Sequence, residues 1–178
     1  MAKRVVIFST KGGVGKSLIA TNLAVSLAKH NSQRTCLIDL DLQVVGDMAR
    51  MLNISPKKSI AELMQAAKKI PDRIQKDDFI AHSPQGIDFL TGVLKPQQSS
   101  YFDASKIKEV LELLDNDYDY IIVDAGKNLN DALVATLNQA NLIILVVTPD
   151  ILSIYQTKWA LDTLQFLHFP LRMISIVL

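Results

Sequence analysis

A chain of 178 residues, 49% hydrophobic and 21% charged, is long enough for one substantial α/β core and is neither disordered nor fibrous in composition. Its net charge of +1 gives no global pull toward nucleic acid or an anionic membrane. No apolar run reaches transmembrane length, and the first 20 residues read as strand and loop rather than as a secretion signal.

In chain order, a hydrophobic strand runs from Arg4 to Ser9. A helix follows from Lys16 to about Lys29, with Ile19, Leu23 and Leu27 on one face. Thr35 to Asp39 is the second strand. It contains the lone cysteine, Cys36, in an apolar run that marks it as a buried strand residue rather than a redox or nucleophilic group. A helical pattern covers Ser59 to Lys69, bracketed by Pro56 and Pro71. Short strands follow at Phe79 to Ala81 and Ile87 to Thr91. Asp103 caps a helix that runs to Leu114. Tyr120 to Asp124 is a near-continuous apolar strand, as buried parallel sheets require. Then come a helix at Asn130 to Gln139, a strand at Leu142 to Thr148, a helix from Ile151 to Leu167 carrying Trp159 as a packing residue, and a strand at Arg172 to Val177.

Strands alternating with helices predict a doubly wound, mainly parallel sheet with helices on both faces and right-handed crossovers. No linker divides the chain, so a single domain is expected. The last strand is expected at or near the centre of the sheet, with further C-terminal parts of the domain beyond Leu178.

The stretch Ser9-Thr10-Lys11-Gly12-Gly13-Val14-Gly15-Lys16-Ser17 lies between a strand and a helix, the context of a phosphate cradle. Gly12, Gly13 and Gly15 let successive N–H groups turn inward. The following helix adds its unpaired N–H groups and a positive dipole end. Lys16 is expected on the β- and γ-phosphates and Ser17 on Mg²⁺. Thr10 stands where the pattern G-x-x-x-x-G-K-[ST] has its first glycine. In open parallel sheets, ligands sit beyond the carboxyl ends of the strands. Asp39, Asp41 and Asp124 gather there with Ser17, an oxygen-rich set suited to Mg²⁺ with a triphosphate. Asp124 is expected near the metal or its water, Asp39 in the metal shell, and Asp41 orienting the attacking water. Gly46 and Gly126 give two loops the freedom to move with the γ-phosphate. His30, His82 and His168 have no ligand spacing. Lys57, Lys58, Lys68, Lys69 and Lys76 are diluted by Glu62, Asp72, Asp77 and Asp78 into an ordinary solvated face.

Lys11 to Ser17 resembles the deviant Walker A loop of the ParA/MinD family of P-loop ATPases. The likeness extends to Asp39-Leu40-Asp41, Ile122-Val123-Asp124 and Val146-Val147-Thr148-Pro149-Asp150. The segments Asp39 to Gln43, Gly46-Asp47 and Tyr118 to Asp124 look most like the CpaE/TadZ-type branch, which helps localise pilus assembly machinery. The resemblance implies a cytoplasmic, Mg·ATP-dependent homodimer. In it Lys11 reaches the other subunit's phosphates, Lys16 contacts those of its own, and the loop residues Gly12, Gly13, Val14, Gly15, Ser17 and Leu18 line the nucleotide. ATP would favour the dimer and hydrolysis would release it. A protein regulator or cargo adaptor is implied, with a nucleoid DNA, membrane or cell-pole surface as the field of action. Two residues depart from the family pattern. Leu18 stands where many relatives have a small hydroxyl residue, and Lys127 adds a charge after Asp124. Two other readings stay open: a nucleotide-binding scaffold without hydrolysis, and a phosphotransferase of the bacterial tyrosine-kinase kind.

Overall fold

The computed structural model describes residues 1–43, 45–66 and 78–178. Its strands are β1 Lys3–Phe8, β2 Thr35–Asp39, β3 Ala81–His82, β4 Asp88–Thr91, β5 Tyr120–Asp124, β6 Leu142–Val146 and β7 Ile174–Val177. Its helices are α1 Lys16–Asn31, α2 Asp47–Met51, α3 Ile60–Ala66, α4 Ile107–Leu114, α5 Asp131–Leu137 and α6 Ile151–Phe166. The sheet order is β3-β4-β2-β5-β1-β6-β7. Every pairing is parallel except β3 with β4. This is the mixed, mostly parallel α/β architecture of P-loop nucleotide-binding proteins.

The strand pleat divides the core. Val6, Phe8, Ile38 and Val123 point to one face, covered by Leu63 of α3, Leu111 of α4, Leu137 of α5 and Leu164 of α6. Val5, Ile7, Leu37 and Ile122 point to the other, covered by α1 and by Met48 of α2. Helix α1 approaches the sheet through Ala20 and Ala24, both fully buried. Ile19, Leu23 and Leu27 pack only partly buried beside them, because small side chains bring the helix axis closer than leucines can. Helix α4 buries Ile107, Val110, Leu111 and Leu114, the spacing of a single apolar stripe.

Several expectations needed adjustment. Helix α2 follows Gly46, where no element was expected. Asp103 caps a 3₁₀ turn, accepting the Ser105 N–H at 3.0 Å, and that turn leads into α4. Helix α3 is seen to Ala66; Lys68, Lys69, Pro71, Asp72, Lys76 and Asp77 lie outside the described residues. Among the described residues, strand β7 ends the sheet order beside β6. Trp159, expected to pack, is 60% exposed on α6, because that helix meets the fold through Ser153, Thr157, Ala160 and Leu164 instead. Among the described residues no helix is long and apolar enough to cross a membrane.

Candidate phosphate-binding site

The strand order places β1 between β5 and β6, so the loop leaving β1 emerges at the middle of the sheet's carboxyl edge. Ser9 Oγ donates to the Lys11 carbonyl at 2.6 Å and anchors the start of that loop. Gly13 and Gly15 adopt left-handed φ values of 77° and 94°, which L side chains rarely tolerate. A Cβ on either would face open space; what demands glycine is the backbone turn, and the space beside it is room for a ligand. Gly15 is the N-cap of α1 and supplies no side-chain acceptor. The first helical bond runs from the Ile19 N–H to the Gly15 carbonyl at 2.9 Å. The N–H groups of Lys16, Ser17 and Leu18 therefore open onto the loop. Leu18's side chain is exposed, so the backbone is what it offers there.

Lys16 is 7% exposed, a burial that lysine tolerates only beside opposite charge. Ser17 Oγ donates to Asp124 Oδ2, joining the helix start to the end of β5. Asp124 is fully buried. Burial raises its carboxyl above the usual range, against the opposing effects of the Ser17 hydroxyl, the Lys16 ammonium and the Gly126 N–H. Asp39 lies opposite Asp124 in the β2–β5 register. Its carboxyl is pushed up to about 8, first by burial and then by the neighbouring Asp124 charge. Asp39 Oδ1 accepts the Asp41 N–H at 3.0 Å. The Asp41 carboxylate turns over the next loop: a Cβ on Gly126 would lie 3.2 Å from Asp41 Cγ, and Gly126 itself is left-handed at φ 72°.

The structure thus brings Gly12 to Ser17, Asp39, Asp41 and Asp124 to one edge. Among the described residues, no three carboxylate, imidazole or thiolate side chains converge to chelate an ion by themselves. Mg²⁺ here would rest on Ser17 and the Asp124 side of the site, with phosphate and water oxygens completing its shell. Two neighbours escaped assignment from sequence. Lys11 Nζ is held by Asp150 Oδ2 at 3.0 Å. Asp150 also accepts the Thr148 hydroxyl at 2.6 Å and caps α6 through the Ser153 N–H. The Thr148 and Ser153 bonds, followed by the Lys11 contact, hold its carboxyl down at about 2. The Thr148-Pro149-Asp150 run before an apolar helical pattern is a readable cap signal, but nothing in it indicates Lys11. Lys127 lies against Gly12.

The AAA-domain family model (AAA_31) matches residues 2–171. An uncharacterised ATP-binding protein of Methanocaldococcus jannaschii is 29% identical over 168 residues, covering 94% of this chain and 61% of its own. A ParA family ATPase from Chlorobium tepidum has a similar structure, with a TM-score of 0.81 at 23% identity over 99% of this chain and 73% of its own. The septum site-determining protein MinD of Pyrococcus horikoshii, solved with Mg-ADP, gives a TM-score of 0.78 at 23% identity, over 99% and 68%. The chain spans 52–64% of the length of the curated relatives it matches.

Proposed function

This chain belongs to the AAA-domain family as a ParA/MinD-type P-loop ATPase, and from that premise we propose that it is an Mg-dependent ATP hydrolase working as a nucleotide-switched homodimer that positions a cellular cargo. The observation that carries this reading is the junction at Ser17 and Asp124, which ties a left-handed glycine loop to the carboxylate end of a buried strand.

In this reading the N–H groups of Gly13 to Leu18 and the Lys16 ammonium hold the phosphate chain. Ser17 and Asp124 hold the metal from one side, and Asp39 supports its water shell. Bound Mg²⁺ supplies neutralisation of phosphate charge. Asp41, half-exposed beside the buried carboxylate pair, orients the attacking water. Gly126 keeps the second loop close enough for that carboxylate to respond to its movement. Lys11 exchanges Asp150 for the phosphates of a second copy. An exposed ion pair is cheap to break, so Asp150 is a resting place for Lys11 rather than a barrier.

The reading places the protein in the cytoplasm, at times against a membrane or cell pole, with a regulator or cargo adaptor as partner. The CpaE/TadZ-type branch, with pilus machinery as cargo, is supported by the Asp39–Gln43, Gly46-Asp47 and Tyr118–Asp124 segments alone; chromosome, plasmid and division-site cargo are the other members of the same class. The scaffold reading draws on exposed Leu18, which gives no hydroxyl at the loop.

Phosphate release with and without Mg²⁺ tests hydrolysis. Release in Mg²⁺ that stops with Asp41→Ala supports the reading, and its absence in the wild type favours the scaffold. Gel filtration with ATP, for the wild type and Asp41→Ala, tests the dimer: the variant should remain dimeric for longer.

A further inference from the structure

Three lysines surround the phosphate loop, and two have a visible setting. Lys16 is buried in the first turn of α1 and Lys11 is paired with Asp150. Lys127 is exposed, and among the described residues its ammonium has neither a hydrogen bond nor an ion pair. It nevertheless folds back over the loop: a methyl group built on Gly12 would lie 3.6 Å from its Nζ and 3.7 Å from its Cδ.

The backbone carrying Lys127 is tied to β1 and its exit. Ala125 N–H donates to the Ile7 carbonyl at 2.9 Å, and Ser9 N–H donates to the Gly126 carbonyl at 3.4 Å. Gly126 N–H donates to Asp124 Oδ1 at 3.3 Å. Lys127 is therefore delivered to Gly12 by a pinned turn. Its ammonium, the loop N–H groups and the start of α1 all carry positive charge toward one space, and their repulsion is relieved by an anion. The same turn holds Gly126 against Asp41, so the cation lies on the side of the loop where water would be oriented. Asp41, Gln43, Gly126, Lys127 and Asn128 also line a cavity of about 280 Å³ that no residue of Gly12 to Ser17 lines.

We infer that Lys127 is a third phosphate-binding cation, acting within its own subunit on the terminal phosphate and setting the preference for triphosphate over diphosphate. This rests on the ATPase reading above. The terminal phosphate must approach Asp41 and the buried Asp39–Asp124 pair; a cation on the adjoining Gly126–Lys127 turn offsets that acidity before any second copy arrives.

The test is equilibrium titration of the full chain with Mg·ATPγS and with Mg·ADP, at protein concentrations where it stays monomeric. Lys127→Met keeps the aliphatic stem over Gly12 and removes the charge; Lys127→Arg keeps the charge. The Met variant should bind ATPγS about tenfold more weakly and ADP less than about threefold more weakly, and Arg should restore most of the loss. The salt dependence of ATPγS binding should become shallower in the Met variant. Equal losses for both nucleotides, the signature of packing alone, would overturn the inference, as would no loss at all. A wild type that binds neither nucleotide would remove the ATPase reading together with it. A wild type that binds while Lys127→Met changes nothing removes only the role of Lys127.

Discussion

The two ends of the sheet treat charge in opposite ways. At the amino end every prominent carboxylate has a partner. Arg4 reaches Asp115 through two bonds at 3.2 and 2.7 Å and Gln139 through a third at 3.2 Å. Arg34 pairs with Asp119 at 3.3 Å. Asp88 accepts the Tyr118 hydroxyl at 2.7 Å and lies 2.6 Å from His82 Nδ1. At the carboxyl end, Asp39 and Asp124 face each other in register and both are raised, while Lys127 lacks a partner among the described residues. One end is satisfied by the chain itself. The other crowds two acidic groups together and raises both, an arrangement that a metal and a polyanion would complete. On the proposed reading, the amino end serves the fold and the carboxyl end a ligand.

The largest effect should come from breaking the satisfied end. Arg4→Met leaves Asp115 buried without its cation, which costs about 3–5 kcal/mol. Denaturant unfolding should show the loss, while nucleotide affinity below the transition stays near that of the wild type. The converse change at the other end should stabilise. The folded-state Asp39 carboxyl titrates at about 8 against 3.8 for the ordinary group, so the folded chain keeps a proton that the unfolded chain has released. This group's contribution is most favourable below pH 4 and is lost as pH rises through 8. Asp39→Asn should therefore raise the stability of the nucleotide-free protein by a few kcal/mol at pH 8 and change little at pH 4. Thermal melts at the two pH values check the sign.

Gly126→Ala sharpens the contrast by straining the ligand end only. The left-handed backbone costs about 1–2 kcal/mol, and the new Cβ would press on the Asp41 carboxylate. Steady-state hydrolysis should fall further than the melting temperature. The smallest effect belongs to Asp150→Asn, which keeps an acceptor for the Ser153 N–H while releasing Lys11. It should lower the melting temperature only slightly, since the group is exposed, and lower the protein concentration for half-maximal hydrolysis about two- to threefold.

The glycine turn after β1, the aspartate ending β5 and the strand–helix alternation were legible because each is local: glycine spacing, an apolar run and a terminal carboxylate lie within a few residues. β2 and β5 were read to their observed ends, Thr35–Asp39 and Tyr120–Asp124, since both are continuous apolar runs. What escaped depends on distant parts meeting. Lys11 and Asp150 are 139 residues apart, and Lys127 meets Gly12 only because β5 lies beside β1. Trp159 was misread because a helix pattern says which residues share a face, not which face is covered.

The most direct measurement is calorimetric titration of the purified chain with Mg·ATPγS, beside Lys16→Ala. The site predicts one saturable event in the wild type, dependent on Mg²⁺, and a loss of about a hundredfold or more in the variant. A folded wild type that takes up no nucleotide with any divalent ion, or a Lys16→Ala protein that binds as well as the wild type, would contradict a phosphate cradle at Gly12 to Ser17.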